Sequence, residues 1–241
     1  MSPKRLVLLV EGPGDVEAAP VLVDRLLKEY HAAEPVFDVV CLDRLPFRVG
    51  DFSGIRRNGT QRGVHDFGEW RRFLQAAVTT RKNVGGCILL LDGDSPIQVE
   101  GKPFCAARAA RILATEAKKV GAGTSFSLAV VFACMEFESW FIAGIESLQD
   151  RRLVNERQGV RKLAVPLPSD PETSPRDAKG WLRTVMTLGY KPPRDQAELA
   201  RLVDLNMVRE RNPRSFRRLE SAVKQTIAGI RCGKHVVSPT C

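Results

Sequence analysis

The sequence predicts an α/β protein: a mostly parallel sheet flanked by helices, with a helical C-terminal part. Three observations carry this. Continuous apolar runs such as "LVLLV" (Leu6 to Val10) and "CILLL" (Cys87 to Leu91) read as strands buried on both faces. These runs alternate with segments whose apolar residues recur at helical spacing, and such alternation implies parallel strands joined by right-handed crossovers. After about Leu148 the alternation stops, and only helical patterns follow the proline-rich stretch "VPLPSDPETSP".

The elements follow in order. Arg5 to Val10 is the first strand. Asp15 suits the cap of a helix reaching about Tyr30, with Leu22, Leu26 and Leu27 on one face. Pro20 is expected near that helix's first turn, where a missing N–H does no harm. Val36 to Cys41 is the second strand, and the loop after it is long, polar and glycine-bearing, as functional loops often are. Asp66 to about Arg81 is a helix with Phe67, Trp70, Phe73 and Leu74 apolar. Gly86 to Leu91 is the third strand, Cys105 to about Val120 an alanine-rich helix, and Ser125 to Ala133 the fourth strand. Phe137 to Ile145 begins another helix, and three more are expected near Ala178 to Leu188, Gln196 to Val208 and Ser215 to Ile230. The chain thus divides into a core over residues 1–148, a helical part packed on it over 149–231, and a tail over 232–241 expected to be disordered.

With 44% hydrophobic residues among 241, the chain can bury a sizeable core. No apolar run approaches the roughly 20 residues of a membrane span. The apolar stretch at the N-terminus is too short and too soon acidic for a signal peptide, so a cytoplasmic protein is expected. Six cysteines are scattered without a C-x-x-C pair and only three histidines occur, which points away from zinc. The net charge of +9 favours a polyanionic partner, nucleic acid above all. Basic residues cluster at Gly54 to Gly63, Asp150 to Lys162 and Arg209 to Arg218. Arg56, Arg57 and Arg62, with Arg214, Arg217 and Arg218, are the candidate phosphate contacts; solvated surface charge is the plainer alternative.

Acidic residues follow the strands. Glu11 directly follows the first, in "LVLLVEGPGD"; Asp92 follows the third, in "ILLLDGDSP", with Asp94 two residues on. In an open parallel sheet, ligands bind at the carboxyl ends of strands. If the two strands are neighbours, these carboxylates converge and repel one another unless a cation joins them. Hard oxygen donors with no sulfur or imidazole nearby suit Mg²⁺ or Mn²⁺. Without convergence, Asp92 and Asp94 merely cap turns and Glu11 pairs with an arginine. Glu136 and Glu138, after the fourth strand, either complete the site or cap the helix behind them. No G-x-x-x-x-G-K-[ST] loop, G-x-G-x-x-G turn or G-x-S-x-G elbow is present.

"VEGPGD" on a first strand, with "LLLDGDS" on a later one, resembles the Toprim domain of topoisomerases, DnaG-type primases and OLD-type nucleases. The stretches "VEGPGDVEAAPVLVDRLL", "ILLLDGDSP", "ACMEFESWFIAG" and "PRDAKGWL" to "RNPRSFRRLESAV" resemble more closely a bacterial family labelled domain of unknown function 4276, itself Toprim-like. The resemblance implies a Toprim/Rossmann-like core and a Mg²⁺-dependent (or Mn²⁺-dependent) endonuclease. Asp92 and Asp94 would bind the metal, and Glu11 would bind it or act as general acid/base. Asp15 and one of Glu136 or Glu138 would hold a second ion, and Lys179 would stabilise transition-state charge. Gly93 and Pro96 depart from the D-x-D-G common in Toprim nucleases. Members of the family are often encoded beside ATPases in suspected phage-defence loci, which implies an ATPase partner; a homo-oligomer stays open. Two other readings compete: a catalytically degenerate binding subunit of an ATPase complex, and a phosphatase of the haloacid-dehalogenase type, whose D-x-D normally sits on the first strand. The stripe Trp181, Leu182, Leu199, Leu202 and Leu205 would dock a partner or pack on the core.

Overall fold

The computed structural model describes residues 2–52, 64–153, 157–163, 167–211 and 213–239. Its strands are β1 (Lys4–Val10), β2 (Val40–Leu42), β3 (Phe47–Arg48), β4 (Val84–Asp92), β5 (Ser127–Ala133) and β6 (Val237–Ser238). They form one sheet in the order β2-β1-β4-β5-β6, with β3 beside the end of β1, and every pairing is parallel. From β1 the chain builds outward to β2 and β3 on one side. It then returns to place β4 on the other side of β1. The carboxyl ends of β1 and β4 therefore flank a topological switch point, where adjacent loops diverge and leave a crevice.

The helices are α1 (Pro13–Ala33), α2 (Phe67–Thr79), α3 (Ala106–Lys118), α4 (Ser139–Ala143), α5 (Ala178–Val185), α6 (Pro192–Leu202), α7 (Leu205–Arg211) and α8 (Arg214–Cys232). Strand periodicity sorts them into two layers. Leu6, Leu8 and Val10 of β1 face the core shared with α1, α6 and α8, while Val7 and Leu9 face α2 and α3. The Asp66 carboxylate starts α2 by accepting from Gly68 N at 2.8 Å and Glu69 N at 3.3 Å. The buried Trp70 indole N–H donates to Leu113 O at 2.9 Å and ties α2 to α3. Among the described residues no helix is long and apolar enough to cross a membrane.

Several details differ from the sequence reading. Pro20 stands in the interior of α1, yet the helix is unbroken. The loss is confined to one N–H bond, and the buried Ala18, Ala19, Leu22 and Val23 around it hold the helix against the core. The expected single helix over Gln196 to Val208 is two. Val203 leaves the helical conformation with ψ 134°, and the Asp204 carboxylate accepts from Asn206 N at 2.8 Å, which starts α7 anew. The expected helix from Phe137 is the short α4 followed by a 3₁₀ turn over Ile145–Leu148. The tail expected to be disordered supplies β6, paired with β5 through Val237 and Ser238. The C-terminal helices pack on the sheet: Leu182, Leu199 and Leu205 are buried and Trp181 and Leu202 partly so, which makes the apolar stripe part of the core.

Candidate functional site

Glu11 leaves β1 and Asp92 ends β4. Because Val10 lies beside Leu90, the two acids emerge one residue apart on neighbouring strands. Glu11 Oε2 accepts from the backbone N of Asp92 at 3.0 Å, which fixes the carboxylate across the crevice. Glu11, Asp92, Asp94 and Lys179 line one cavity of about 280 Å³, with Asp51 and Phe52 on its wall.

The neighbouring strand and a C-terminal helix complete the cluster. The Gly93 N–H donates to Met135 O at 2.9 Å, joining the loop after β4 to the loop after β5. Asp92 Oδ1 accepts from Phe137 N at 2.8 Å. Lys179, in the first turn of α5, donates from Nζ to Asp92 Oδ2 at 3.0 Å and to Glu136 Oε1 at 2.8 Å. Its own backbone N donates to Glu136 Oε2 at 3.0 Å. Glu138 is fully buried: its Oε1 accepts from Tyr190 OH at 2.8 Å, while its Oε2 has no hydrogen bond and lies 3.6 Å from Lys179 Nζ. One oxygen each of Asp92, Glu136 and Glu138 fall within 4.8 Å of one another.

This crowding sets the electrostatics. Burial, and then the charge of Asp92, push the Glu11 carboxyl up to about 9. Burial pushes Asp92 up to about 7, opposed by Lys179 and reinforced by Asp15. Burial and Asp92 push Glu138 up to about 8. Asp94 is also raised, by burial and by Glu136. Burial alone would lower Lys179, but Asp92, Glu138 and Glu136 outweigh it and raise the lysine further. One ammonium thus faces buried carboxylates, Asp92 and Glu138, whose hold on a proton burial strengthens. A second cation fits such a cluster: the donors are all oxygen, three are within chelating reach, and Glu138 Oε2 is an orphaned buried acceptor.

Of the acids singled out in the sequence, Asp15 stands apart in role. Its Oδ2 accepts from Gly12 N at 2.8 Å and its Oδ1 from Gln196 Nε2 at 2.6 Å, so it fastens the start of α1 to α6. Arg214 and Arg218 line a separate groove, Arg217 is exposed on α8, and Arg56, Arg57 and Arg62 lie outside the described residues. Sequence reasoning missed Asp51, Phe52, Tyr190 and Gln196. Only Asp51 and Phe52 carried a signal, their place at the start of the long loop after β2 and β3.

Fold and site together define an open α/β protein with a carboxylate-rich, lysine-bearing crevice at its switch point. The chain belongs to the family described as a domain of unknown function, DUF4276, which it matches over residues 10–224. No curated protein and no solved structure matches it.

Proposed function

We infer that the protein is a metal-dependent nuclease of Toprim type, cleaving phosphodiester bonds of nucleic acid, DNA before RNA, in the cytoplasm. The observation that carries this is the meeting of Glu11, Asp92, Asp94 and Lys179 in one cavity at the switch point. Asp92, Glu136 and Glu138, with Glu11 and Asp94 on the cavity wall, would hold Mg²⁺ or Mn²⁺. Bound there, the ion supplies a Lewis acid for a phosphoryl oxygen and makes water a better nucleophile.

The chain's own groups have separate parts. Lys179 is fixed by its backbone to Glu136 and directs an ammonium into the cavity, where it can neutralise charge growing on a phosphoryl oxygen. Glu11 is held by Asp92 N, so its free oxygen has a set position from which to give or take a proton. Phe52 and Pro96 supply apolar surface on the cavity wall beside the acids. The charge of +9 draws in the polyanion that the acidic crevice by itself would repel. With no ATP-binding loop in the sequence, target opening falls to a partner, an ATPase in an anti-phage system.

One observation favours the second reading, a non-catalytic subunit of such an ATPase complex: Lys179 already forms ion pairs with all three of the closest carboxylates. The deciding experiment incubates plasmid DNA and RNA with Mn²⁺ or Mg²⁺ and wild-type protein or Asp94→Asn, alone and with the neighbouring ATPase. Metal-dependent nicking that Asp94→Asn abolishes is expected. No cleavage of any substrate under any condition leaves the binding subunit. Hydrolysis of a small phosphate ester without nicking would point to a phosphatase.

A further inference from the structure

A second concave site lies away from the acids. β6 pairs with only Leu128 and Ala129, so a groove of about 480 Å³ runs between α3 and α8 along the rest of β5. Its floor is apolar, with Val130 and Phe132 from β5 and Ala106, Ala107 and Ala110 from α3. Its rim carries Arg111, Arg214 and Arg218. None of these three forms an ion pair with a carboxylate among the described residues. Arg218 is partly buried, and among the described residues its hydrogen-bond partner is the neutral Ser238 Oγ at 2.7 Å. A guanidinium withdrawn from water without a counter-ion is a standing cost that a bound anion removes. Burial accordingly lowers the pKa of Arg218, with no acid opposing it.

The groove thus asks for a ligand with an apolar face and a negative charge. A core contact links it to the acidic cavity: the ring of Phe132 on its floor lies 5.7 Å from that of Phe52, which walls the cavity. We propose that the groove seats one nucleotide of the strand that the acidic crevice acts on, with its base on the Val130, Phe132 and alanine floor and its phosphate between Arg111, Arg214 and Arg218. This rests on the nuclease reading and adds to it a subsite that orients the strand. A base has a π-face for a flat apolar floor whatever its identity, so the site holds position without reading sequence.

The test is fluorescence anisotropy of short single-stranded DNA and RNA oligonucleotides across a salt series, without divalent metal. Arg111→Gln and Arg214→Gln alter exposed side chains, and each should flatten the salt slope by about 0.7, the share of one single-strand phosphate contact. Ala107→Trp fills the groove from an exposed helix position and keeps all three arginines. It should weaken binding about tenfold by displacing the base, with the salt slope unchanged. Thermal unfolding at the wild-type temperature confirms that each variant is folded. Wild-type affinity and slope in all three variants would overturn the groove assignment while leaving the nuclease reading in place, and would leave the open β5 edge to an extended peptide. No oligonucleotide binding by the wild type, even after Mn²⁺ is added, would overturn both.

Discussion

Lys179 is the residue on which the acidic crevice balances. It lies 87 positions from Asp92 and donates to it at 3.0 Å. Removing one member of such a buried charge cluster leaves the rest uncompensated, at a cost on the order of 3 kcal/mol. Lys179→Met should therefore lower the unfolding temperature in metal-free buffer, and Mg²⁺ should restore more stability to the variant than it adds to the wild type. The pH dependence has a definite sign. Glu11, Glu138 and Asp92 are raised to about 9, 8 and 7, whereas unfolded carboxylates titrate near about 4. Between those limits the folded protein holds more protons than the unfolded chain. The stability they contribute is complete below about pH 4 and is lost as pH rises toward about 9. Mg²⁺ bound among these acids would replace those protons, so its stabilising effect should grow from pH 6 to about pH 9. Unfolding curves with and without Mg²⁺ across that range decide it; a Mg²⁺ shift that is flat or falls with pH would sink the idea of a shared cation site. Glu11 and Asp92 were legible as candidates because each stands directly after an apolar run, and Asp94 because it follows Asp92 by two residues. Lys179 was reachable only through the family resemblance of "PRDAKGWL". Tyr190 and Gln196, which hold Glu138 and Asp15, were not legible, since no local pattern records a contact made across the fold.

The loops after β4 and β5 act as one element. Gly93 donates to Met135 O, and the turn that presents Glu136 places Met135 at φ 61°, a left-handed conformation uncommon for methionine. A Cβ on Gly93 would stand 2.6 Å from Ala133 O, which is backbone and cannot turn aside. The glycine between the two aspartates is thus explained by close approach of two strand ends. Gly93→Ala should push them apart, costing about 1–3 kcal/mol of stability, and should weaken Mn²⁺ binding although every carboxylate remains. Calorimetric titration and thermal unfolding read both effects; wild-type values in each would show that the loops yield without consequence. At this scale the sequence showed what is long and apolar. β1, β4 and β5 were legible because each is buried on both faces. The short β2, β3 and β6 were poorly legible or not at all, because two or three residues carry no period. The break between α6 and α7 turned on one aspartate whose capping role depends on the bend it creates.

At the scale of the whole molecule, the C-terminal helices complete both the core and the site. Phe216, Leu219, Ala222, Val223 and Ile227 of α8 are buried in the cluster that contains Ile88 and Leu90 of β4 and Ala129 and Val131 of β5. α6 meets the start of α1 so closely that a Cβ on Gly14 would overlap the Gln196 side chain. Each large apolar side chain buried against the sheet contributes about 1.5–3 kcal/mol, and a domain's net stability is only about 5–15 kcal/mol. Losing that whole layer therefore exceeds what the remaining sheet can tolerate. The sequence showed where the strand–helix alternation stops, near Leu148, but a change of pattern does not say whether two parts share a core. The shared cluster predicts that a fragment ending at Leu148 fails to unfold cooperatively and binds an apolar dye, while the full chain melts in one transition. The fragment should also lose Mn²⁺ affinity, because Lys179 and Tyr190, which place Glu136 and Glu138, are gone. Calorimetric melting of both chains, with and without Mn²⁺, tests this. A sharp transition in the fragment with its metal affinity intact would mean that the sheet and its acids stand alone, and that the helical part is an appended module.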